Sequence, residues 1–332
     1  SIDDTDFISP NYNIDTVKNV FLFIDDINSG IYINRSSDYY ATIICLTADE
    51  TIKYILDYGF HSLRYNYVIG YWPWELTYWP KRLEIALEYV DEIWVSTSHI
   101  AASLIPITRK PIKVMPLSVE EENSLYDDIK NLSISSVREE FDLNVDAHIY
   151  LISFDFNSSL YRKNPLDGIK AFQKAFPYSS SKTSKDSPLL VLKTFDGEFN
   201  SSEWNEIIQY IELDSRIKLI KENMSRYRLL SLYWACDSLI SLHKAEGFGR
   251  VIAEAFQLGL NVIATNWSGN IDFCDGPLYF PVDFQIVNLE PDDYKFWVNQ
   301  QWANPNLNSA SEQLRLIQSK NRLNNIERRR IS

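Results

Sequence analysis

The residues best suited to chemistry lie between positions 241 and 270, in the sequence SLHKAEGFGRVIAEAFQLGLNVIATNWSGN. An apolar run is followed by a glycine-containing turn with Glu246, and residues 250–259 predict a helix that carries Glu254. Amides in such a turn and at a helix start lack internal partners, so they can meet an anion or polarised hydroxyl groups. The two carboxylates could serve two hydroxyl-bearing parts of one ligand. The same pattern also occurs in α/β proteins that bind nothing there, so the segment alone leaves both interpretations open.

The elements that must position this segment form an alternating series. Short apolar runs alternate with amphipathic stretches, which is typical of strands and crossover helices in parallel α/β proteins. The runs predict strands at 19–24, 42–46, 66–70, 92–96, 112–117, 148–154, 188–194, 217–221, 238–243 and 261–265. Asn164-Pro165 and Ser225 are helix start signals. Pro116 and a polar stretch after it break the series. We therefore predict an N-terminal domain over 1–120, a C-terminal domain over 121–308 and a helix or tail over 309–332.

Composition excludes several classes of function. The 332 residues carry 32 Lys and Arg against 45 Asp and Glu, and this net charge of −13 argues against nucleic acid as a partner. Three cysteines without metal-ligand spacing predict no metal site and a cytoplasmic protein. The four histidines form no hydrolase pattern with Ser and Asp, so we interpret each as structural. The basic tail 328–330 leaves peripheral contact with the inner face of a membrane open.

The segment from Glu246 to Glu254 fits the E-x7-E motif of retaining glycosyltransferases with the GT-B fold, and EGFGRVIAEAFQLGLNVIATNWSGN resembles the family 4-like group among them. Further stretches resemble the same group in the same order: YNYVIGYWPWEL (65–76), YVDEIWVSTSHIA (89–101), SFDFNSSLYRKNPLDGIKAFQKAF (153–176) and WANPNLNSASEQLR (302–315). The resemblance implies two Rossmann-like domains facing a cleft, with a nucleotide-sugar donor bound by the C-terminal domain.

The resemblance also assigns roles on the donor side. It places Glu246 beside the donor sugar as the catalytic residue and Glu254 on the ribose of the nucleotide. The amides around Gly247, Phe248 and Gly249 would hold sugar and phosphate. No cofactor or metal is expected, and the donor would be a UDP-, GDP- or ADP-type sugar.

Cations complete the expected donor site. By resemblance, Lys163 together with Arg162 would bind the diphosphate, because a leaving nucleoside diphosphate gains negative charge in the transition state. The other interpretation of this pair is two solvated charges before a helix. Lys193 ends an apolar run and would face the crevice of an open sheet, although structural pairing explains it equally well.

The acceptor side of the site is expected at Tyr71, Trp74 and Glu75, which follow a predicted strand in the first domain. Aromatic rings suit sugar stacking, and a carboxylate can orient an acceptor hydroxyl. Core packing of at least one tryptophan is the competing interpretation. The acceptor would be a glycan or a lipid-linked acceptor.

Two departures from the family pattern stand out. No glycine-rich turn opens the first domain, so we expect either an abbreviated N-terminal domain or a piece of a longer chain. A Gly-Arg pair that relatives carry at the first strand of the second domain is replaced by Ser153-Phe154. Phosphate binding would then depend more heavily on Arg162 and Lys163.

These features predict a retaining glycosyltransferase of glycan or surface polysaccharide assembly. The alternative is a non-catalytic sugar-nucleotide- or glycan-binding module of a larger glycosyltransferase assembly. A sugar-nucleotide epimerase on the same fold fits the E-x7-E segment less well. A dinucleotide oxidoreductase needs G-x-G-x-x-G after a first strand, and the sequence has none.

Overall fold

The computed structural model describes residues 41–59, 63, 67–119, 124–155, 158–178, 187–197, 201–291 and 293–328. The chain divides into two compact units. One contains the described residues up to 119 together with Glu246–Phe248, and the other contains the described residues of 124–245 and of 249–328. The strand predicted at 19–24 and the end of the basic tail lie outside the described residues.

The N-terminal unit is built on a parallel sheet. Its strands, in the order β1-β2-β3-β4, are β1 (Ala41–Ile44), β2 (Tyr67–Tyr71), β3 (Glu92–Val95) and β4 (Ile112–Val114). Its helices are α1 (Ala48–Tyr58), a 3-10 helix (Lys81–Tyr89) and α2 (Ser98–Leu104). The side chains of Thr47 and Glu50 form a capping box that fixes the start of α1. The strands predicted at 42–46, 66–70, 92–96 and 112–117 are therefore confirmed.

The C-terminal unit contains a six-stranded parallel sheet in the order β10-β9-β8-β5-β6-β7. Its strands are β5 (Ile149–Ser153), β6 (Leu189–Thr194), β7 (Ile217–Lys221), β8 (Ser238–Ser241), β9 (Asn261–Thr265) and β10 (Tyr279–Val282). Its helices are α3 (Ser124–Lys130), α4 (Ile134–Glu140), α5 (Leu160–Lys163), α6 (Pro165–Ala175), α7 (Ser202–Leu213), α8 (Arg226–Ala235), α9 (Arg250–Gln257) and α10 (Leu307–Arg328), with a 3-10 turn at Gly269–Asp272. An antiparallel hairpin joins β11 (Phe284–Asn288) to β12 (Gln301–Pro305).

Two apolar cores cover the two faces of this sheet. Leu151 and Val191 pack with residues of α3, α4, α8 and α9, whereas Ile152 and Leu192 pack with residues of α6, α7 and α10. Both faces of the central strands are buried, which is why their sequences are continuous apolar runs and not alternating ones.

The strand order places a topological switch point between β5 and β8. The chain leaves β5 toward β6 and β7, then crosses over to β8 and continues in the opposite direction to β9 and β10. In open parallel sheets, ligands bind outside the carboxyl ends of the strands at such a point. The segment after β5 contains α5 with Arg162 and Lys163, and the loop after β8 leads to Glu246 and α9.

Two helix starts show how sequence signals act here. The Ser225 hydroxyl accepts a hydrogen bond from the Arg228 amide and caps α8, as predicted. Pro165 opens α6, but Asn164 has a left-handed backbone (φ +51°) and does not cap it through its side chain. The Asn164 amide group instead donates to the Leu242 carbonyl, which ties the start of α6 to the end of β8.

No helix of the described ranges is long and apolar enough to cross a membrane.

Candidate functional site

Glu254 lies in the first turns of α9 and is 2 % exposed. Its Oε1 atom lies 2.8 Å from Nη1 of Arg226 and 3.6 Å from Nε of Arg250. Arg226 is the first residue of α8 and Arg250 is the first residue of α9, so two helix starts present guanidinium groups to one carboxylate. A buried carboxylate needs such partners to stay charged. The arrangement holds Glu254 at the carboxyl edge of the sheet.

The turn before α9 depends on glycine. Gly249 has φ +94° and occupies the N-cap position of the helix without a side-chain hydrogen bond. A Cβ atom at this position would also approach Cδ1 of Ile252 to 3.2 Å. Phe248, the residue before it, is buried.

We expect Gly249→Ala to lower the free energy of unfolding by about 1–2 kcal/mol, because an L side chain is strained in this backbone conformation. We also expect it to weaken nucleotide binding, because the amides of the turn would shift. Urea denaturation and calorimetric titration measure the two effects. Gly259→Ala is the matched control: it has φ +75° and open space around a Cβ atom. It shares the backbone strain but lies at the far end of α9. Equal losses of nucleotide affinity in both variants would contradict a local role for the Gly249 turn.

Glu246 and Gly247 group with the N-terminal unit. Glu246 is buried, and the Gly247 carbonyl accepts a hydrogen bond of 2.7 Å from the Thr97 hydroxyl. Thr97 also caps α2. The two glutamates of the E-x7-E segment thus belong to different compact units, although only seven residues separate them.

Arg162 is buried and its side chain binds the protein backbone. Nη1 of Arg162 donates to the carbonyl of Ala245 over 2.7 Å, and the Arg162 carbonyl accepts from the Lys244 amide over 2.8 Å. The guanidinium carbon also lies 5.7 Å from the ring centroid of Tyr294. Ala245 immediately precedes Glu246, so Arg162 fixes the backbone that leads into the catalytic candidate.

Lys163 ends α5 and is half-buried. Because α5 follows β5 at the switch point, Lys163 lies beside the carboxyl edge of the sheet, where a ligand is expected.

Lys193 is also occupied within the protein. Its ammonium donates to the carbonyls of Thr194 and Glu222, over 2.8 and 2.9 Å. Burial lowers the pKa of Lys193, against the opposing effect of Glu222. These bonds join the ends of β6 and β7, which matches the structural pairing that sequence left open.

His243 has the structural role expected for the histidines. Its Nδ1 lies 3.0 Å from the Ser241 hydroxyl and its Nε2 lies 3.0 Å from Oδ1 of Asn270. The Asn270 amide group donates in turn to the Thr265 carbonyl over 3.1 Å. This network links the loops that follow β8 and β9.

The sequence did not predict the hairpin β11–β12 or its contacts with Lys244, which lies in the loop between β8 and Glu246. The Lys244 ammonium lies 4.9 Å from the ring centroid of Trp302, and the Ala303 amide donates to the Lys244 carbonyl. Burial raises the pKa of Glu203 to about 7, and the positive charge of Lys244 opposes this rise. The sequence around Trp302 resembles that of the family, but no local signal relates it to Lys244.

The predicted acceptor-side aromatics pack inside the N-terminal unit. Trp74 is 3 % exposed, its indole nitrogen donates to the Tyr78 carbonyl, and its ring lies 5.6 Å from that of Trp79. The Tyr71 hydroxyl donates to the Met115 carbonyl over 2.7 Å. Glu75 is half-buried, and its carbonyl lies 2.9 Å from Nε2 of His99. Within this unit, the side chain of Glu75 is the most accessible of the three.

In the part of the chain that the structure describes, no group of three His, Cys, Asp or Glu side chains is arranged to hold a metal ion.

Residues 159–274 match the family model described as glycosyl transferases group 1. Among solved structures, the chain resembles an α,α-trehalose-phosphate synthase (UDP-forming) from Burkholderia xenovorans in complex with glucose-6-phosphate, at 11 % identity and a TM-score of 0.53, over 82 % of this chain and 64 % of that one. It also resembles HepE of Anabaena in complex with UDP and glucose, at 16 % identity and a TM-score of 0.51, over 72 % and 62 % of the two chains. A glycosyltransferase from Rickettsia africae ESF-5 matches at 17 % identity and a TM-score of 0.54, over 74 % and 63 %.

These matches show the fold of the protein. The fold is that of the GT-B glycosyltransferases, as the sequence predicted. The matched segment 159–274 contains the loop with Arg162 and Lys163 and the whole E-x7-E segment. The chain spans less than two thirds of the length of the solved structures compared above. No curated protein matches it.

Proposed function

We propose that this protein is a retaining, metal-independent glycosyltransferase that moves a sugar from a nucleoside-diphosphate sugar to an acceptor hydroxyl. The observation that carries the proposal is the E-x7-E segment within the region matched to group 1 glycosyl transferases, with Glu254 buried at the carboxyl edge beside the switch point. Solved relatives in complex with UDP and glucose or with UDP-glucose support a nucleotide sugar as the donor.

In the proposed reaction, the bond between the anomeric carbon and the diphosphate oxygen breaks and a bond to the acceptor oxygen forms on the same face. The acceptor proton passes to an oxygen of the departing phosphate, and the products are the glycosylated acceptor and the nucleoside diphosphate. Glu254 would bind the ribose, Glu246 the hydroxyls of the sugar, and Lys163 the diphosphate as its charge grows. The acceptor would be a glycan or a lipid-linked sugar at the cytoplasmic face of a membrane, in polysaccharide assembly.

Calorimetric titration with UDP, GDP and ADP, without added metal, tests the donor site. We expect micromolar binding of one nucleotide, weakened at least about tenfold in both Glu254→Ala and Lys163→Ala, since a hydrogen bond to a charged group contributes about 1.5–3 kcal/mol. The nucleotide that binds identifies the sugar donors to test for transfer. A folded protein that binds none of the three contradicts the proposal. Nucleotide binding without transfer to any acceptor would favour the binding-module alternative.

A further inference from the structure

The diphosphate of a sugar donor carries two or more negative charges. Two of the cations predicted to bind it, Arg162 and Lys193, bind carbonyl groups of the protein itself. The Arg162 guanidinium holds the Ala245 carbonyl, and the Lys193 ammonium holds two strand-end carbonyls. Lys163 remains the predicted phosphate ligand. A single ammonium is a weak complement to a leaving diphosphate, because cations placed there must offset the charge that develops in the transition state.

The structure brings another guanidinium to the same edge of the sheet. Arg226 begins α8, and its side chain is 30 % exposed, so a ligand can reach it. Nη1 of Arg226 lies 2.8 Å from Oε1 of Glu254, and Nη2 lies 3.4 Å from the Tyr126 hydroxyl. The two Nη atoms of Arg226 therefore contact two different residues.

The pair of Arg226 and Glu254 lies near the carboxyl end of β5. The Tyr233 hydroxyl donates to the Ser153 hydroxyl over 2.7 Å, and Ser153 is the last residue of β5. The pKa of Tyr233 is raised by burial and by the charge of Glu254, and the charge of Arg226 opposes this. Both charged groups therefore lie close to the carboxyl end of β5, at the switch point.

We propose that Arg226 binds the diphosphate of the donor while it remains paired with Glu254. The inference rests on the proposed function, in which Glu254 binds the ribose. Only a methylene group and an ester oxygen join the ribose ring to the first phosphate, so two adjacent protein groups can meet two adjacent parts of the nucleotide. A guanidinium suits both partners, because its planar fork matches carboxylate and phosphate oxygens.

The test compares the affinities for UDP and UMP, or for the corresponding pair of the base that wild type binds, in wild type and Arg226→Met. We expect the substitution to weaken UDP binding about 10- to 100-fold and UMP binding clearly less, so that the ratio of the two affinities falls at least about fivefold. If Arg226 only positioned Glu254, its substitution would disturb the contact with the ribose, which UDP and UMP share. The affinities for both nucleotides would then fall equally.

Arg228→Met is the matched control. Arg228 lies two residues further along α8, pairs with Glu222 and Glu140 and has a similarly exposed side chain. We expect it to leave both affinities within about twofold, as for an exposed ion pair. Arg226→Lys keeps a positive charge for Glu254, so it should fold even if Arg226→Met does not. We expect it to lower the ratio as well, because the ammonium lacks the fork.

Equal losses for the two ligands, an unchanged ratio or tighter UDP binding in the Arg226 variants would overturn the inference and leave the proposed function standing. Wild type that binds no nucleotide would overturn both.

Discussion

Glu246→Gln is expected to reduce sugar transfer at least about 100-fold while UDP affinity stays within about twofold. A residue that contacts the sugar stabilises the transition state more than the bound nucleotide, and loss of one such contact in a preorganised site costs about 100- to 1000-fold in rate. The exchange of a carboxylate for an amide changes little in volume, so the buried position should tolerate it. The release of UDP from UDP-glucose, or from the sugar of the base that binds, measures the rate.

Glu206→Gln is the control for this variant. Glu206 lies on α7 and pairs with Lys170 over 3.0 Å at the surface of the C-terminal unit. Its loss should leave both transfer and UDP affinity unchanged. If Glu246→Gln retained more than about a tenth of the wild-type rate, Glu246 would not be the catalytic residue.

The adjacent residues Arg162 and Lys163 are expected to fail in different ways. Arg162→Met leaves the buried Ala245 carbonyl without its guanidinium donor, so we expect the free energy of unfolding to fall by about 1–3 kcal/mol. Transfer should fall with it, because the backbone before Glu246 loses its support. Lys163→Met should lower the free energy of unfolding less than Arg162→Met does, because Lys163 is only half-buried, and should weaken UDP binding about 10- to 100-fold.

Urea denaturation and UDP titration of the two variants separate these effects. The pair is its own control, since the substitutions lie next to each other on α5 and introduce the same side chain. A stable Arg162→Met protein with weakened UDP binding would show that Arg162 binds the diphosphate directly, as the family resemblance implies. An equal loss of stability in Lys163→Met would instead give that lysine a structural role.

Local sequence patterns predicted much of the fold. The strands predicted at 148–154, 188–194, 217–221 and 261–265 agree with β5, β6, β7 and β9 to within about two residues. They were readable because strands buried on both faces are continuous apolar runs. Leu83, Ala86 and Leu87 recur at helical spacing, and the structure buries all three on one helix, which is 3-10 and not α. The hairpin β11–β12 was not predicted because neither strand shows a regular alternation of buried and exposed residues.

Part of the candidate site could be predicted from the sequence. The E-x7-E segment is local: a strand end, a glycine turn and a helix start within about 20 residues, all of which the structure contains. The contacts of its cations could not be predicted, because their partners lie far away in the sequence. Arg162 meets Ala245 across 83 positions, and Arg226 meets Glu254 across 28.

The sequence by itself determined the class of fold, the glycine turn and the identity of the side chains offered at the carboxyl edge, because strand propensity, helix capping and backbone strain act over a few residues. Only the tertiary structure decided which of these side chains serve the protein and which can serve a ligand. The order β8-β5-β6 brings the loops after β5 and β8 to one switch point. Burial there makes a guanidinium or an ammonium bind the nearest carbonyl or carboxylate, since an unpaired buried charge is too costly.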